Sequence, residues 1–207
     1  MLLTLLISIE LFMSNKSGLY FQPPTTIINS TNIRVLIIRP TGICFELSSD
    51  ENKGYWLPVD AGEEQDSKWI SNDIVRNRIK ATKAKHVLLV VDSCFAGSIS
   101  RGGASVIKNT ERLNNINLIN RFKMRKTRLV ITSGGNEPVV DNDGGEHSYF
   151  ANKFIDVLKN NNNVIQSMYL FQNVSEYVIN NANQTPNRTV IFGTGDDGGD
   201  FLFFPTG

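Results

Sequence analysis

The residue best suited to take part in a reaction is Cys94, which follows an aliphatic run from Val87 to Val91 and the acidic residue Asp92. A free cysteine is either a small buried core residue or, where it is accessible and activated, a nucleophile. Small residues at 96–98 come next, and such a stretch is typical of a tight turn. One cysteine after one apolar run leaves both interpretations open.

The run from Val87 to Val91 predicts a strand, because five aliphatic residues are too few for an ordinary helix and several are β-branched. A strand that is apolar on both faces favours a parallel sheet covered by helices on both sides. In open α/β sheets, ligands and reacting groups gather beyond the carboxyl ends of the strands. We therefore expect Asp92 and Cys94 to lie at that edge of the sheet.

Strand and helix patterns alternate through the rest of the chain. Strands are predicted at 33–38, 129–132, 189–192 and 201–204, and helices at 72–81, 107–126, 149–158 and 165–181. Ser71 and Ser148 stand where helix N-caps are expected, with Ile70, Ile74 and Ile79 facing the core. This alternation predicts an α/β fold with a mostly parallel sheet and helices on both faces. Residues 1–32, with Pro23 and Pro24, read as a separate segment or linker ahead of one domain at 33–207.

Five further motifs accompany the cysteine segment, at 54–61, 132–139, 146–151, 184–186 and 198–203. In this order and spacing the chain resembles the caspase-like cysteine peptidases over about residues 42 to 205, and in particular their bacterial and metacaspase-like branch, which carries Asp-Ser-Cys at the nucleophile. The resemblance implies a caspase-like three-layer sandwich and cleavage of polypeptides by a Cys-His dyad after Arg or Lys. It implies Cys94 as the nucleophile and neither a cofactor nor a metal.

One part of the resemblance is missing. The family's catalytic histidine stands in a Gly-His-Gly pattern about 50 residues before the cysteine. Aligned on Gly42, the histidine position is Ile43 and the following glycine is Cys44. Residues 1–32 are also too few for the strand, helix, strand and helix with which family domains begin, so the first strands are missing or replaced. A truncated or frame-shifted reading and a non-catalytic pseudopeptidase that binds a protein partner both explain this. We predict that the chain as written is inactive or nearly so.

Two histidines could replace the missing base. His86 lies eight residues before Cys94, which at ~3.3 Å per strand residue places it at the opposite end of the sheet. His147 is the candidate substitute base, because its loop follows the 129–132 strand and emerges on the same side as Cys94.

Three polar residues are candidates for substrate binding. The resemblance implies that Asp92 lines the pocket that receives the side chain before the cleaved bond, together with Ser133 and with Asp141 as a second acid. A carboxylate in that pocket favours Arg or Lys. The alternative is that Asp92 is a solvated acid at a strand end.

Composition narrows the class of protein. The chain has 207 residues, 41% hydrophobic residues and a formal net charge of +1, which fits one globular domain and gives no electrostatic basis for binding nucleic acid or a membrane surface. Basic residues at 121–128 are expected at the solvated end of a helix. Two cysteines form no disulfide framework, so we expect a cytoplasmic protein. The apolar residues 1–13 leave secretion as an alternative, although spanning a bilayer takes ~20 residues. Partners are expected to be a polypeptide substrate or another protein.

Overall fold

The structure is a computed structural model. It describes residues 33–38, 46–47, 53–56, 69–92, 115–135 and 147–205. Cys94 and Asp141 lie outside these residues, as do Ile43 and Cys44. The elements in chain order are β1 (Ile33–Ile38), β2 (Glu46–Leu47), β3 (Lys53–Trp56), β4 (Ile70–Ser71), α1 (Asn72–Ala81), β5 (His86–Val91), α2 (Ile116–Met124), β6 (Thr127–Thr132), α3 (Tyr149–Lys159), β7 (Ile165–Gln166), α4 (Ser167–Asn181), β8 (Asn187–Val190) and β9 (Leu202–Phe203).

The main sheet has four described strands in the order β1-β5-β6-β8. Strands β1, β5 and β6 run parallel, and β8 pairs with β6 in the antiparallel direction. Two small antiparallel sheets accompany it, one of β2, β3 and β4 and one of β7 and β9. The predicted mixed α/β class with a mostly parallel sheet is confirmed.

The core lies on both faces of the sheet. Leu88 and Val90 of β5 pack with residues of α3 and α4, whereas Val87, Leu89 and Val91 pack with Trp56 and with Ile79 of α1. Alternate residues of a strand point to opposite faces, so an unbroken aliphatic run can serve two cores at once. This is why β5 carries no polar residue between His86 and Asp92, and it confirms helices on both faces.

Both predicted serine caps are present. The Ser71 hydroxyl accepts a hydrogen bond from the Ile74 amide at 3.3 Å, and the Ser148 hydroxyl accepts one from the Ala151 amide at 3.0 Å. The prediction that Ile74 faces the core is wrong, because its side chain is 49% exposed. Ile79 sets the buried face of α1, and five helical residues turn the chain by about 140° away from it.

Three other element predictions need correction. The predicted helix at 165–181 begins at Ser167, because Ile165–Gln166 pair with β9 instead. The strand predicted at 189–192 lies at Asn187–Val190. Arg128, predicted in a solvated basic cluster, is 1% exposed, because it belongs to β6 rather than to the end of α2. The first part of the helix predicted at 107–126 lies outside the described residues, and its described part is α2.

Candidate functional site at the carboxyl edge of the sheet

The carboxyl ends of the parallel strands meet at one edge of the main sheet. Val91 at the end of β5 pairs with Ile38 of β1 on one side and with Thr132 of β6 on the other. Asp92 and Ser133 directly follow these strands, and the Ser133 amide donates to the Val91 carbonyl at 2.9 Å. The structure thus brings together Asp92 and Ser133, as the sequence predicts. In this register both side chains belong to the α3 and α4 face.

Asp92 is buried at this edge, with an exposed fraction of 2%. The Ser148 hydroxyl donates to its Oδ2 atom at 2.6 Å, and Ser148 is itself fully buried. The alternative that Asp92 is a solvated strand-end acid is wrong. Because Ser148 is the N-cap of α3, the carboxylate lies at a helix N-terminus, where unpaired amides and the helix dipole favour negative charge.

Three buried polar atoms at this edge have no hydrogen-bond partner within the described part of the chain. They are Thr132 Oγ1, Ser133 Oγ and His147 Nδ1. A buried polar group left without a hydrogen bond costs about 1–3 kcal/mol, so native structures keep few of them. Ser133 shares the α3 and α4 face with Asp92, whereas Thr132 points to the opposite face of the sheet.

His147 precedes Ser148 and so lies at the Asp92 edge, half-buried. Its carbonyl accepts a hydrogen bond from Asn152 Nδ2 at 3.2 Å, which holds the start of α3. His86 begins β5, at the opposite end of the sheet, as predicted. Its Nδ1 atom is 3.1 Å from Thr127 Oγ1, and its Nε2 atom is 3.2 Å from the Lys123 carbonyl.

Burial lowers the pKa of His86 below its ordinary value of 6.5, and the charges of Lys85 and Arg128 act in the same direction. The hydrogen bond to the Lys123 carbonyl opposes the shift. His86 is thus a structural residue at the amino end of the sheet, opposite to the end where Asp92 lies.

Sequence reasoning missed the partners that hold this edge. Gln184 is buried and donates through Nε2 to the Ser133 carbonyl at 3.5 Å, which fastens the connection between α4 and β8 to the end of β6. Gln184 belongs to one of the motifs that carry the resemblance, so the sequence singled out this residue but did not indicate what it does. Ser148 was predicted only as a helix cap, and its bond to Asp92 joins residues 56 apart in the chain.

The described residues contain no group of three or more His, Cys, Asp or Glu side chains that could hold a metal ion. Within the same ranges, no helix is long and apolar enough to cross a membrane. A buried carboxylate with serine hydroxyls beside it is suited to bind a cationic group by charge-assisted hydrogen bonds.

No protein-family model matches the chain, and no curated protein matches it either. Among 27 solved chains that match is the crystal structure of caspase-1 from Spodoptera frugiperda. The two are 13% identical with a TM-score of 0.45, over 93% of this chain and 71% of the insect protein.

Proposed function

We propose that the carboxyl edge of the sheet binds a polypeptide through one of its basic side chains, on a caspase-like cysteine peptidase scaffold of the metacaspase-like branch. Asp92 accepts the guanidinium or ammonium group, and Cys94, two residues later, stands at the nucleophile position. The observation that carries this proposal is the buried Asp92 carboxylate, held by Ser148 at the edge where α/β sheets bind ligands.

The negative charge of the Asp92 carboxylate is the reason for proposing a basic side chain as the ligand. A carboxylate that is removed from water gains most from a partner of opposite charge that also donates hydrogen bonds. An acidic side chain would repel it, and a neutral one would offer weaker bonds. The Ser133 hydroxyl, buried beside Asp92 in the strand register, supplies a further acceptor, and we propose Asp141 as a second acid.

Catalysis requires more than a carboxylate that binds a basic side chain. In a cysteine peptidase the thiolate attacks the scissile carbonyl, an imidazolium returns a proton to the leaving amine, and water then hydrolyses the thioester. The histidine position implied by the resemblance carries Ile43, so we propose slow turnover or none. His147 is the candidate replacement, supported by its place at the Asp92 edge and by its buried Nδ1 atom, which has no partner among the described residues.

The second candidate is a non-catalytic interaction module. Binding a basic side chain through Asp92 needs neither a base nor a reactive thiol, and Ile43 at the histidine position favours this alternative. Such a module would bind a protein partner that presents an exposed Arg or Lys, and its Cys94 would be unreactive.

Two peptides that differ only in Arg or citrulline at the recognised position test the binding proposal. Citrulline keeps the shape of arginine without the charge. We expect the native chain to bind the Arg peptide and not the citrulline peptide in fluorescence polarisation, and Asp92→Asn to lose this preference. Equal binding of the two peptides would contradict the proposal. Mass spectrometry of the same mixtures measures cleavage, which we expect to be slow and absent in Cys94→Ala.

Alkylation at neutral pH separates the peptidase from the module. A thiolate paired with an imidazole reacts quickly with iodoacetamide, whereas an isolated thiol reacts slowly. In a Cys44→Ser background only Cys94 can react. Fast labelling that slows in His147→Ala supports a dyad with His147, and slow labelling that His147→Ala leaves unchanged supports the module.

A further inference from the structure

We infer that Ser148 is a positioning residue whose hydroxyl fixes the orientation of the Asp92 carboxylate, and so sets the affinity of this edge for a cationic side chain. The inference rests on the proposed function. It assigns to a helix cap a second role that the capping interaction alone does not require.

The hydroxyl of Ser148 makes two bonds of opposite kind. It accepts from the Ala151 amide at 3.0 Å and donates to Asp92 Oδ2 at 2.6 Å. A hydroxyl has one proton and two lone pairs, so both bonds can form at once and together they fix its rotation. Ser148 is fully buried, which removes competition from bulk water.

The support for Ser148 is a packed helix rather than a loop. Phe150, Ala151 and Phe154, in the first two turns of α3, belong to the main core cluster. Sites whose side chains are held by such elements keep their geometry more precisely than sites carried by loops. The packed start of α3 therefore holds Ser148 in place, and Ser148 in turn holds Asp92 at the end of β5.

Capping and positioning have different chemical requirements. As a cap, Ser148 accepts from the Ala151 amide, and glycine is nearly as good an N-cap as threonine although it supplies no side-chain acceptor. Positioning Asp92 needs a donor, which Thr supplies and which Gly and Ala lack. The substitutions Ser148→Thr, Ser148→Gly and Ser148→Ala thus separate the two roles.

Calorimetric titration with Nα-acetyl-L-arginine amide tests the inference, with the citrulline analogue as the neutral control. We expect Ser148→Thr to bind within about twofold of the native chain, and both Ser148→Gly and Ser148→Ala to bind about tenfold more weakly, the effect of losing one hydrogen bond to a charged group. Urea midpoints should instead place Ser148→Gly closer to the native chain than Ser148→Ala. A Gly variant that binds like the native chain would overturn the inference and leave Ser148 as a cap only.

A fourth variant controls for the possibility that the other substitutions weaken binding by disturbing the fold. Ser148→Cys keeps the side-chain shape with a slightly larger atom and replaces the hydroxyl with a weak donor, so it should also bind the arginine amide more weakly. Native affinity in this variant would count against the inference.

Failure of the proposed function is distinguished by a second measurement. If the native chain does not bind the arginine amide, the proposed function fails. The bond between Ser148 and Asp92 is then tested by a double-mutant cycle on urea midpoints with Asp92→Ala and Ser148→Ala. Midpoint shifts that are smaller together than the sum of the two singles support the pairing, and additive shifts overturn it.

Discussion

The two ends of the main sheet differ in how many of their buried polar atoms have hydrogen-bond partners. At the amino end, the Arg128 guanidinium donates to three carbonyls, those of Ala84 at 2.6 Å, Lys85 at 2.9 Å and Thr127 at 2.9 Å. Its Nε atom is the exception, with no partner in the described part of the chain. Burial lowers the pKa of Arg128, and the nearby charge of Asp196 partly opposes this.

Two aspartates are hydrogen-bonded to the start of β6, Asp196 through the Arg128 amide and Asp200 through the Thr127 hydroxyl. Asp196 accepts from the Arg128 amide at 2.7 Å and from the Gly198 amide at 2.9 Å, in a turn where Gly198 has a φ of 68°. Asp200 accepts from Arg188 at 2.8 Å and from the Ser167 hydroxyl, and its carbonyl accepts from Thr127 at 3.3 Å. These acids serve the protein's own backbone and side chains.

At the carboxyl end the balance is reversed. Thr132 Oγ1, Ser133 Oγ and His147 Nδ1 are buried at this end without a partner among the described residues, and the Asp92 carboxylate of the same end is held by a helix cap. Native structures keep few unsatisfied buried groups, because each one destabilises the fold. Among the described residues, buried polar groups at the amino end are satisfied except for Arg128 Nε, whereas several at the carboxyl end, the candidate binding end, are not.

The largest effect on stability is expected from the buried ion pair between Arg188 and Asp200, in which Arg188 of β8 lies opposite Ile131 of β6. Arg188→Ala leaves the buried Asp200 carboxylate without its cation, which should lower the free energy of unfolding by about 3–5 kcal/mol. Arg76→Ala is the matched control, because its ion pair with Asp73 is on the surface of α1 and should contribute less than about 1 kcal/mol. Urea denaturation measures both, and similar losses in the two variants would contradict the account.

Two buried serines, Ser167 and Ser133, are expected to differ in how much their hydroxyls contribute to stability. The Ser167 hydroxyl accepts from Arg188 Nε at 3.0 Å and donates to Asp200, so Ser167→Ala should cost about 1–3 kcal/mol of stability. The Ser133 hydroxyl is buried with no partner among the described residues, so Ser133→Ala should leave stability unchanged or raise it, by at most about 1–3 kcal/mol. We expect Ser133→Ala instead to weaken binding of the arginine amide several-fold. Equal stability losses in the two variants would contradict the distinction between satisfied and unsatisfied buried hydroxyls.

The smallest effect concerns the pH dependence of stability. Because burial lowers the pKa of His86 below 6.5, the unfolded chain takes up a proton on acidification before the native chain does. The contribution of neutral His86 is therefore fully present above pH 6.5 and is lost as the pH falls below it. We expect the native chain to lose stability more steeply than His86→Gln in this range. Parallel curves in urea denaturation at several pH values would show that the prediction is wrong.

Local patterns in the sequence predicted much of the fold. The aliphatic run of β5, the caps Ser71 and Ser148, and the alternation of strands and helices depend on neighbours in the chain, and all are found. Asp92 at the carboxyl edge was predictable as well, because the end of a parallel strand fixes it.

The rest depends on contacts between distant residues. The bond from Ser148 to Asp92, the burial of Arg128 and the role of Gln184 follow from how β5, β6, α3 and α4 pack, which no local pattern encodes. Ile74 was misplaced because an apolar side chain alone does not say which face of a helix is covered. The roles of Cys94, Asp141 and residues 1–32 stay predictions.

The most direct test of the central claim is a crystal structure of the chain with Nα-acetyl-L-arginine amide bound. We expect the guanidinium to lie within hydrogen-bond distance of the Asp92 carboxylate, with the Ser148 hydroxyl still bonded to Oδ2 and the Ser133 hydroxyl facing the ligand. A guanidinium bound elsewhere on the protein, with Asp92 still buried away from it, would contradict the claim that this end of the sheet is the binding end.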